Sequence, residues 1–363
     1  MPGEAVSIQP VSFRSEPYRR ITDYVANLFN SPLNSAISIL VLAFLVWTVP
    51  PLVKWAFVDA VWTKENAELC RQPGAGACWA VIEARYRLIL FGVYPADQHW
   101  RAALASLAII ASGAMSCIPA FWTVTRIVAV WVAGFVIYLA LMFGGFGGLP
   151  HVSTTNWGGL ALTLFVFASV ILLGMPLSLL LAMARRSDMP VISIIAGAAI
   201  DVTRCFPLLT ILFSAAVILP VALPDWLAGD KLYRVIAAFA FFFACYQAEI
   251  WRGGYQIVDK GQSEAASALG LGYWQREFLV LLPQVFRRML PPTVNQFVIT
   301  FKDTSLVSIV GFFDILASTN AAVGTGEWTG YYVEAYIFAG LIYFVFVFTL
   351  SQYGAFLERR RSF

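Results

Sequence analysis

Apolar residues run through this chain in long blocks separated by short polar segments. The blocks fall at about 35–53, 102–119, 127–143, 158–183, 191–219, 233–250, 292–317 and 333–355. A helix needs about 20 apolar residues to cross the hydrocarbon of a bilayer, and these blocks approach or exceed that length. They are built of Leu, Val, Ile, Phe and Ala, without the two-residue alternation of a barrel strand. The pattern predicts an all-α polytopic membrane protein with about eight transmembrane helices. The seventh block is unlike the others, because Lys302 and Asp303 sit inside it.

Composition agrees. The chain is 60% hydrophobic and 12% charged, against roughly 25% charged in a soluble domain. A net charge of +3 is too small to suggest nucleic acid. Basic residues set the expected orientation. With a cytoplasmic N-terminus, Arg14, Arg19, Arg20, Arg185, Arg186, Arg252, Arg287, Arg288 and the Arg359–Arg361 run all fall inside. Most basic residues left outside lie in one long loop at 54–101, where the rule is weak. Residues 1–34 lack the small-residue cleavage site of a signal peptide and read as a cytoplasmic arm. Residues 35–156 hold three helices and the long loop, 157–356 hold five, and 357–363 form a basic cytoplasmic tail.

Cys117, Cys205 and Cys245 lie in or beside apolar runs, where a thiol acts as a small hydrophobe. Cys70 and Cys78 bracket RQPGAGA in the loop placed outside. An oxidising compartment permits a disulfide there, and a pair of free thiols is the alternative. With only two His in the chain and no zinc-like spacing, no metal site is expected.

The segment at about 254–290 is the one inside stretch with the texture of a docking element. Gly253 and Gly254 are expected to stop the preceding helix. Ser263 reads as an N-cap, with Glu264 at the first helical position, where the helix dipole favours an anion. Ala265, Ala266, Ser267, Ala268 and Leu269 propagate the helix, and Gly270 and Gly272 end it. Tyr273–Leu282 reads as a second helical piece, bounded by Pro283, Pro291 and Pro292. A short helix of small residues with a glycine elbow suits a groove on another protein. A helix lying on the membrane surface is the competing reading for the second piece.

These residues carry a resemblance. EAASALGLGYWQREFLVLLP, at 264–283, resembles the EAA loop of ABC-importer permeases. Its flanks resemble the polar amino-acid, histidine/glutamine-type permeases: Arg204-x-x-Pro207-Leu-Leu, Ala248-Glu-Ile-Trp-Arg-Gly-Gly254, Gly261-Gln, Leu282-Pro-Gln-x-x-Arg287, Asn295-Gln-Phe and Lys302-Asp-Thr-Ser-Leu306. The likeness covers about 157–356. With the added N-terminal helices and long loop, the chain is most similar to the larger permease subunit of general L-amino-acid or glutamate/glutamine/aspartate/asparagine systems. The resemblance implies a five-helix type I importer core in a bacterial inner membrane, with both termini cytoplasmic. It implies a second permease, here a smaller paralogue, a pair of ATPase subunits that bind ATP and Mg, and a periplasmic amino-acid-binding protein. Glu264, Ala265, Ala266, Ala268, Gly270, Gly272 and Pro283 would then form the ATPase-coupling element. The chain has no G-x-x-x-x-G-K-[ST] of its own, so it is expected to be a transport subunit and not an enzyme.

Ionisable groups within a membrane are costly and mark function by default. An L-amino-acid substrate needs a partner for its carboxylate and one for its ammonium. Arg204, beside Thr203, offers a fork for the carboxylate. Asp303, with Thr304 and Ser305, offers an anion at an expected helix break. The plainer reading pairs Arg204 with Asp201 or Glu249, and Asp303 with Lys302. Glu249 and Arg252 stand three residues apart on one helix face and suit a gate or coupling role. An ion-coupled secondary amino-acid transporter remains the alternative function. It uses intramembrane charges, but leaves the docking element without a purpose.

Overall fold

The structure, a computed structural model, describes residues 27–324 and 326–359. Arg14, Arg19, Arg20, Arg360 and Arg361, which carry part of the orientation argument, lie outside them. The described residues are mostly helical, with a two-residue strand at Phe313–Asp314 that bridges to Gly158 and Gly159. It divides into two compact units, Met1–Ala80 and Val81–Phe363.

In the first unit, α1 (Pro32–Val53) starts on Ser31, whose hydroxyl accepts from the Asn34 amide. No residue of α1 is buried. The loop after it closes on itself through a Cys70–Cys78 disulfide. Within that loop the Trp79 indole donates to the Ala56 carbonyl at 2.7 Å and stacks on Trp62.

The second unit begins with α2 (Ala80–Phe91), α3 (His99–Ser116) and α4 (Val124–Phe143). Then come α5 (Gly159–Arg185), α6 (Pro190–Cys205), α7 (Leu208–Ala222) and α8 (Lys231–Ile257). A short α9 (Lys260–Ala268) precedes α10 (Leu282–Asp303), α11 (Ile315–Val323) and α12 (Tyr332–Arg359). Helices α5 and α8 form the central pair. Phe239 and Phe243 of α8 and Val166 of α5 share one core with Phe301 of α10. The α3–α4 pair joins that core through Tyr138, which stacks on Phe165 with centroids 4.7 Å apart and donates to the Ala161 carbonyl.

Five helices, α1, α4, α5, α8 and α12, are long and apolar enough to cross a membrane, or six if α6 and α7 count as one span. Three of the expected spans differ in form. The second becomes α3, whose 18 residues include the buried polar groups His99, Arg101, Ser106 and Ser112. The fifth, expected as one helix over 191–219, is two helices bent by 104°. Pro207 explains the bend, because a proline pushes the residue before it out of helical geometry. Phe206 sits at φ −90, ψ 142 and Pro207 at φ −61, ψ 138. The seventh stops at Asp303, passes through a 3-10 turn at Thr304–Ser308, and restarts as α11 on the Asp314 cap.

Arg101 ties the N-terminal helices together. It is fully buried, with no carboxylate partner among the described residues. Its fork instead donates to the Leu141 carbonyl at 2.6 Å, to Pro150 at 3.1 Å, to Met142 at 3.5 Å and to Gln98 Oε1 at 3.2 Å. Leu141 and Met142 belong to the last turn of α4, where carbonyls lack helical partners and the dipole favours a cation. The guanidinium thus caps α4 and holds the following glycine-rich turn. Arg101→Leu should strip the donor from the Pro150 carbonyl and Gln98 Oε1 and leave only the Tyr94 hydroxyl on the Leu141 and Met142 carbonyls, at roughly 1–3 kcal/mol for each acceptor left unpaired. Thermal unfolding of the purified protein should show a lower transition, with Arg101→Lys only partly better because an ammonium lacks the fork. An unchanged melting temperature would remove this role.

Candidate functional site

The docking segment differs from its sequence reading at both ends. Gly253 and Gly254 do not stop α8, which continues to Ile257. Gly254 is buried where α8 meets α10, and a Cβ there would run into Met289 and Val285. Its small size serves close packing and not termination. Helix α9 starts at Lys260, not after Ser263. Its cap is Asp259, whose carboxylate accepts from the Gly261 amide at 2.7 Å. Glu264 therefore lies in mid-helix and is exposed, as are Ala265 and Ala268, whereas Ala266 is buried.

The C-terminal end of α9 itself is as expected. Gly270 sits at φ +77, the left-handed conformation that closes many helices. The Gly270 amide donates to the Ser267 carbonyl at 3.0 Å and the Leu271 amide to Ala266 at 3.2 Å, the paired bonds of a Schellman motif. Gly272 then caps the next helical piece, and the Gln275 side chain accepts from its amide.

That second piece does not end at Pro283. It begins at Tyr273–Gln275, widens into a π-turn at Arg276–Leu281, and runs on as α10 to Asp303, with Pro291 and Pro292 inside it. A proline lacks the amide proton and clashes with the carbonyl four residues back. The π-turn lets the Leu282 amide reach five residues back to the Glu277 carbonyl, which relaxes the register just before Pro283. Two contacts fasten α9 to this helix: Arg276 Nη1 donates to Ser267 Oγ at 3.1 Å and Gln284 Nε2 to Gln262 Oε1 at 3.2 Å.

Arg204 lies in a network on the inner sides of α5, α6 and α8. Glu249 collects Arg252, Arg185 at 3.5 Å and Arg204 at 3.8 Å. Arg185 also grips Asp201 with both prongs, at 2.8 and 3.0 Å. Three cations thus face two anions. The Arg204 Nε is buried without a hydrogen-bond partner, its guanidinium lies 5.3 Å from the Tyr246 ring centroid, and the neighbouring Thr203 is buried. Of the two partners weighed for Arg204 in the sequence, Glu249 is the one it meets, and Asp201 belongs to Arg185. Arg185 had been read only as a loop charge. Its partners lie 16 and 64 residues away, beyond any helical spacing.

Asp303 is half-buried at the end of α10 and makes no ion pair with Arg204 or Lys302. Thr304 and Ser305 turn their hydroxyls back onto the Phe301 and Lys302 carbonyls. Antiparallel α8 and α10 set the relative depths. Gln247 Nε2 donates to Thr293 Oγ1 at 2.9 Å, and Phe243 stacks on Phe297. From the Phe243–Phe297 level, six residues along α8 lead to Glu249 and six along α10 lead the opposite way to Asp303. At about 1.5 Å per residue these acids stand roughly 18 Å apart along the helices. Arg204 and Asp303 therefore belong to two polar layers, not to one site. Among the described residues, no three His, Cys, Asp or Glu gather in a way that could hold a metal ion.

Residues 174–363, more than half of the chain, match the binding-protein-dependent transport system inner membrane component family. The inner membrane amino-acid ABC transporter permease protein YhdY of Escherichia coli (strain K12) is 41% identical over 92% of this chain and 91% of its own length. The glutamate/glutamine/aspartate/asparagine transport system permease protein BztC of Rhodobacter capsulatus is 34% identical over 92% of each. A crystal structure of an amino acid ABC transporter with histidines shares 31% identity over 55% of this chain and 90% of its own, with a TM-score of 0.48. The chain belongs to the binding-protein-dependent transport system inner membrane component family, as an ABC transporter permease.

Proposed function

We propose that this chain is the larger permease subunit of an ATP-driven importer of L-amino acids, and that α9 is the helix through which an ATPase drives it. The carrying observation is mechanical. A helix closed by Asp259 at one end and Gly270 at the other is fastened by Arg276 and Gln284 to a helical run that ends at Asp303. Tyr273–Asp303 spans about 45 Å at helical rise, similar to a bilayer with its headgroups. Motion of α9 reaches Asp303 along one element.

In this reading α9 faces the cytoplasm, with both termini on that side. Glu264, Ala265, Ala268 and Gly270 meet the ATPase groove, and Gly272 and Pro283 shape the elbow and its helix. The ATPase subunits bind ATP and Mg. A smaller permease paralogue completes the pathway, and a periplasmic binding protein delivers the amino acid. The amino-acid relatives, alike over nearly their whole length, support this substrate class.

The two polar layers act in succession. Asp303, with Thr304 and Ser305, takes the ammonium of an arriving amino acid. Arg204, with Thr203 beside it and a spare Nε, takes the carboxylate further in. The substrate's two charges lie a few ångströms apart, far less than the roughly 18 Å between the layers. Glu249 with Arg252 and Arg185 forms the closed inner gate.

Gly270→Val forces a branched residue into the left-handed region, at roughly 1–2 kcal/mol, and should loosen the end of α9. Together with Glu264→Arg it should reduce the ATPase that co-purifies with the chain, while membrane insertion is kept. Undiminished co-purification in both variants would remove α9 from the ATPase interface. Asp303→Asn should assemble normally and lose most uptake of labelled L-amino acids in proteoliposomes. Unaltered uptake kinetics would reduce Asp303 to a helix-end residue.

A further inference from the structure

Two neighbouring residues of the π-turn point in opposite directions. Arg276 reaches Ser267 of α9. Glu277 turns the other way and is only 2% exposed. Its carboxylate meets one guanidinium, that of Arg186, at 3.6 Å, and Glu277 Oε2 has no hydrogen-bond donor. Arg186 is the C-cap of α5, and its guanidinium carbon lies over the Tyr255 ring of α8, 3.6 Å from the centroid. The Tyr255 hydroxyl is buried beside the same carboxylate, without a well-formed hydrogen bond to it. A buried carboxylate is costly unless well paired, and well-packed apolar residues often do as well or better in its place. This one is paired loosely, beside a phenol that is itself unsatisfied. Such a group asks for a role beyond stability.

Its connections point to one. Arg186 follows Arg185, which holds both Asp201 and Glu249 in the inner polar layer. From Ser267 of α9 the path runs through Arg276, Glu277, Arg186 and Arg185 to the gate, each step a side-chain contact or a single peptide. We propose that Glu277 is a positioning residue, the pin by which displacement of the docking helix is delivered to the end of α5 and so to the Arg185–Glu249–Arg252 gate. It works in parallel with the long helix to Asp303. The loose pairing lets the joint tighten in one state of the cycle and slacken in the other. The inference rests on α9 being the ATPase-docking helix.

The test uses the whole complex, with ATPase, companion permease and binding protein, in proteoliposomes supplied with a labelled L-amino-acid mixture. Two quantities are read: the ATPase retained on purification, and amino acid moved per ATP hydrolysed. Glu277→Gln and Arg186→Gln should each retain the ATPase, and each should lower the transport-to-hydrolysis ratio about 5-fold or more, the lower range of allosteric couplings. The exchanged pair Glu277→Arg/Arg186→Glu should recover much of that ratio. A wild-type ratio in Glu277→Gln overturns the proposal. So does loss of the ATPase from both Glu277→Gln and the conservative Glu277→Asp, which would make the residue a folding element of the docking segment. If the unaltered chain retains no ATPase, the docking reading fails instead, and the two failures stay distinct.

Discussion

A proline in a helix leaves a carbonyl unpaired and a ring in its way, and this structure turns on how each such defect is absorbed. At Pro283 a π-turn takes up the misfit, and the helix runs on from Tyr273 to Asp303. At Pro207 nothing does, and the chain bends by 104°. The first outcome joins the docking segment to a polar layer through one element. The second lets α7 turn away just beyond Arg204 and the gate. Had Pro283 broken its helix, no continuous helix would lead from the α9 elbow to Asp303.

Both outcomes show where sequence reading stops. The apolar blocks located the long helices well, because a span has a length and a composition that no soluble helix needs. Prolines at 207 and 283 look alike in sequence. What separates them is tertiary: the helix after Pro283 is held along its length by α8 and α12, so its axis is fixed by packing before the local defect can redirect it. Gly254 was misread for the same reason. A glycine that ends a helix and a glycine that admits a neighbour are one letter, and only Met289 and Val285 across the interface distinguish them.

The candidate site was legible as residue types and not as groupings. Arg204, Glu249, Arg252 and Asp303 stood out because charge in an apolar run is conspicuous. Their division into two layers was hidden, since it depends on the register between α8 and α10, which Gln247–Thr293 and Phe243–Phe297 set. Arg185 escaped notice at the margin of an apolar block and Glu277 within the polar docking segment, two places where charges are ordinary. Within the EAA segment the Gly270 helix end was legible, because it rests on local backbone geometry.

The Gln247–Thr293 contact also sets a fulcrum. Gln247 is fully buried on the central helix α8 and fastens to the long helix part-way along its length. From Thr293 the rod extends about 30 Å toward Tyr273 and about 15 Å toward Asp303. A stiff rod held at that point is a lever with unequal arms. A sideways displacement at the docking end arrives at Asp303 at about half its amplitude and about twice its force. In the proposed cycle this gearing favours small, forceful rearrangement at the far layer over the opening of a wide channel.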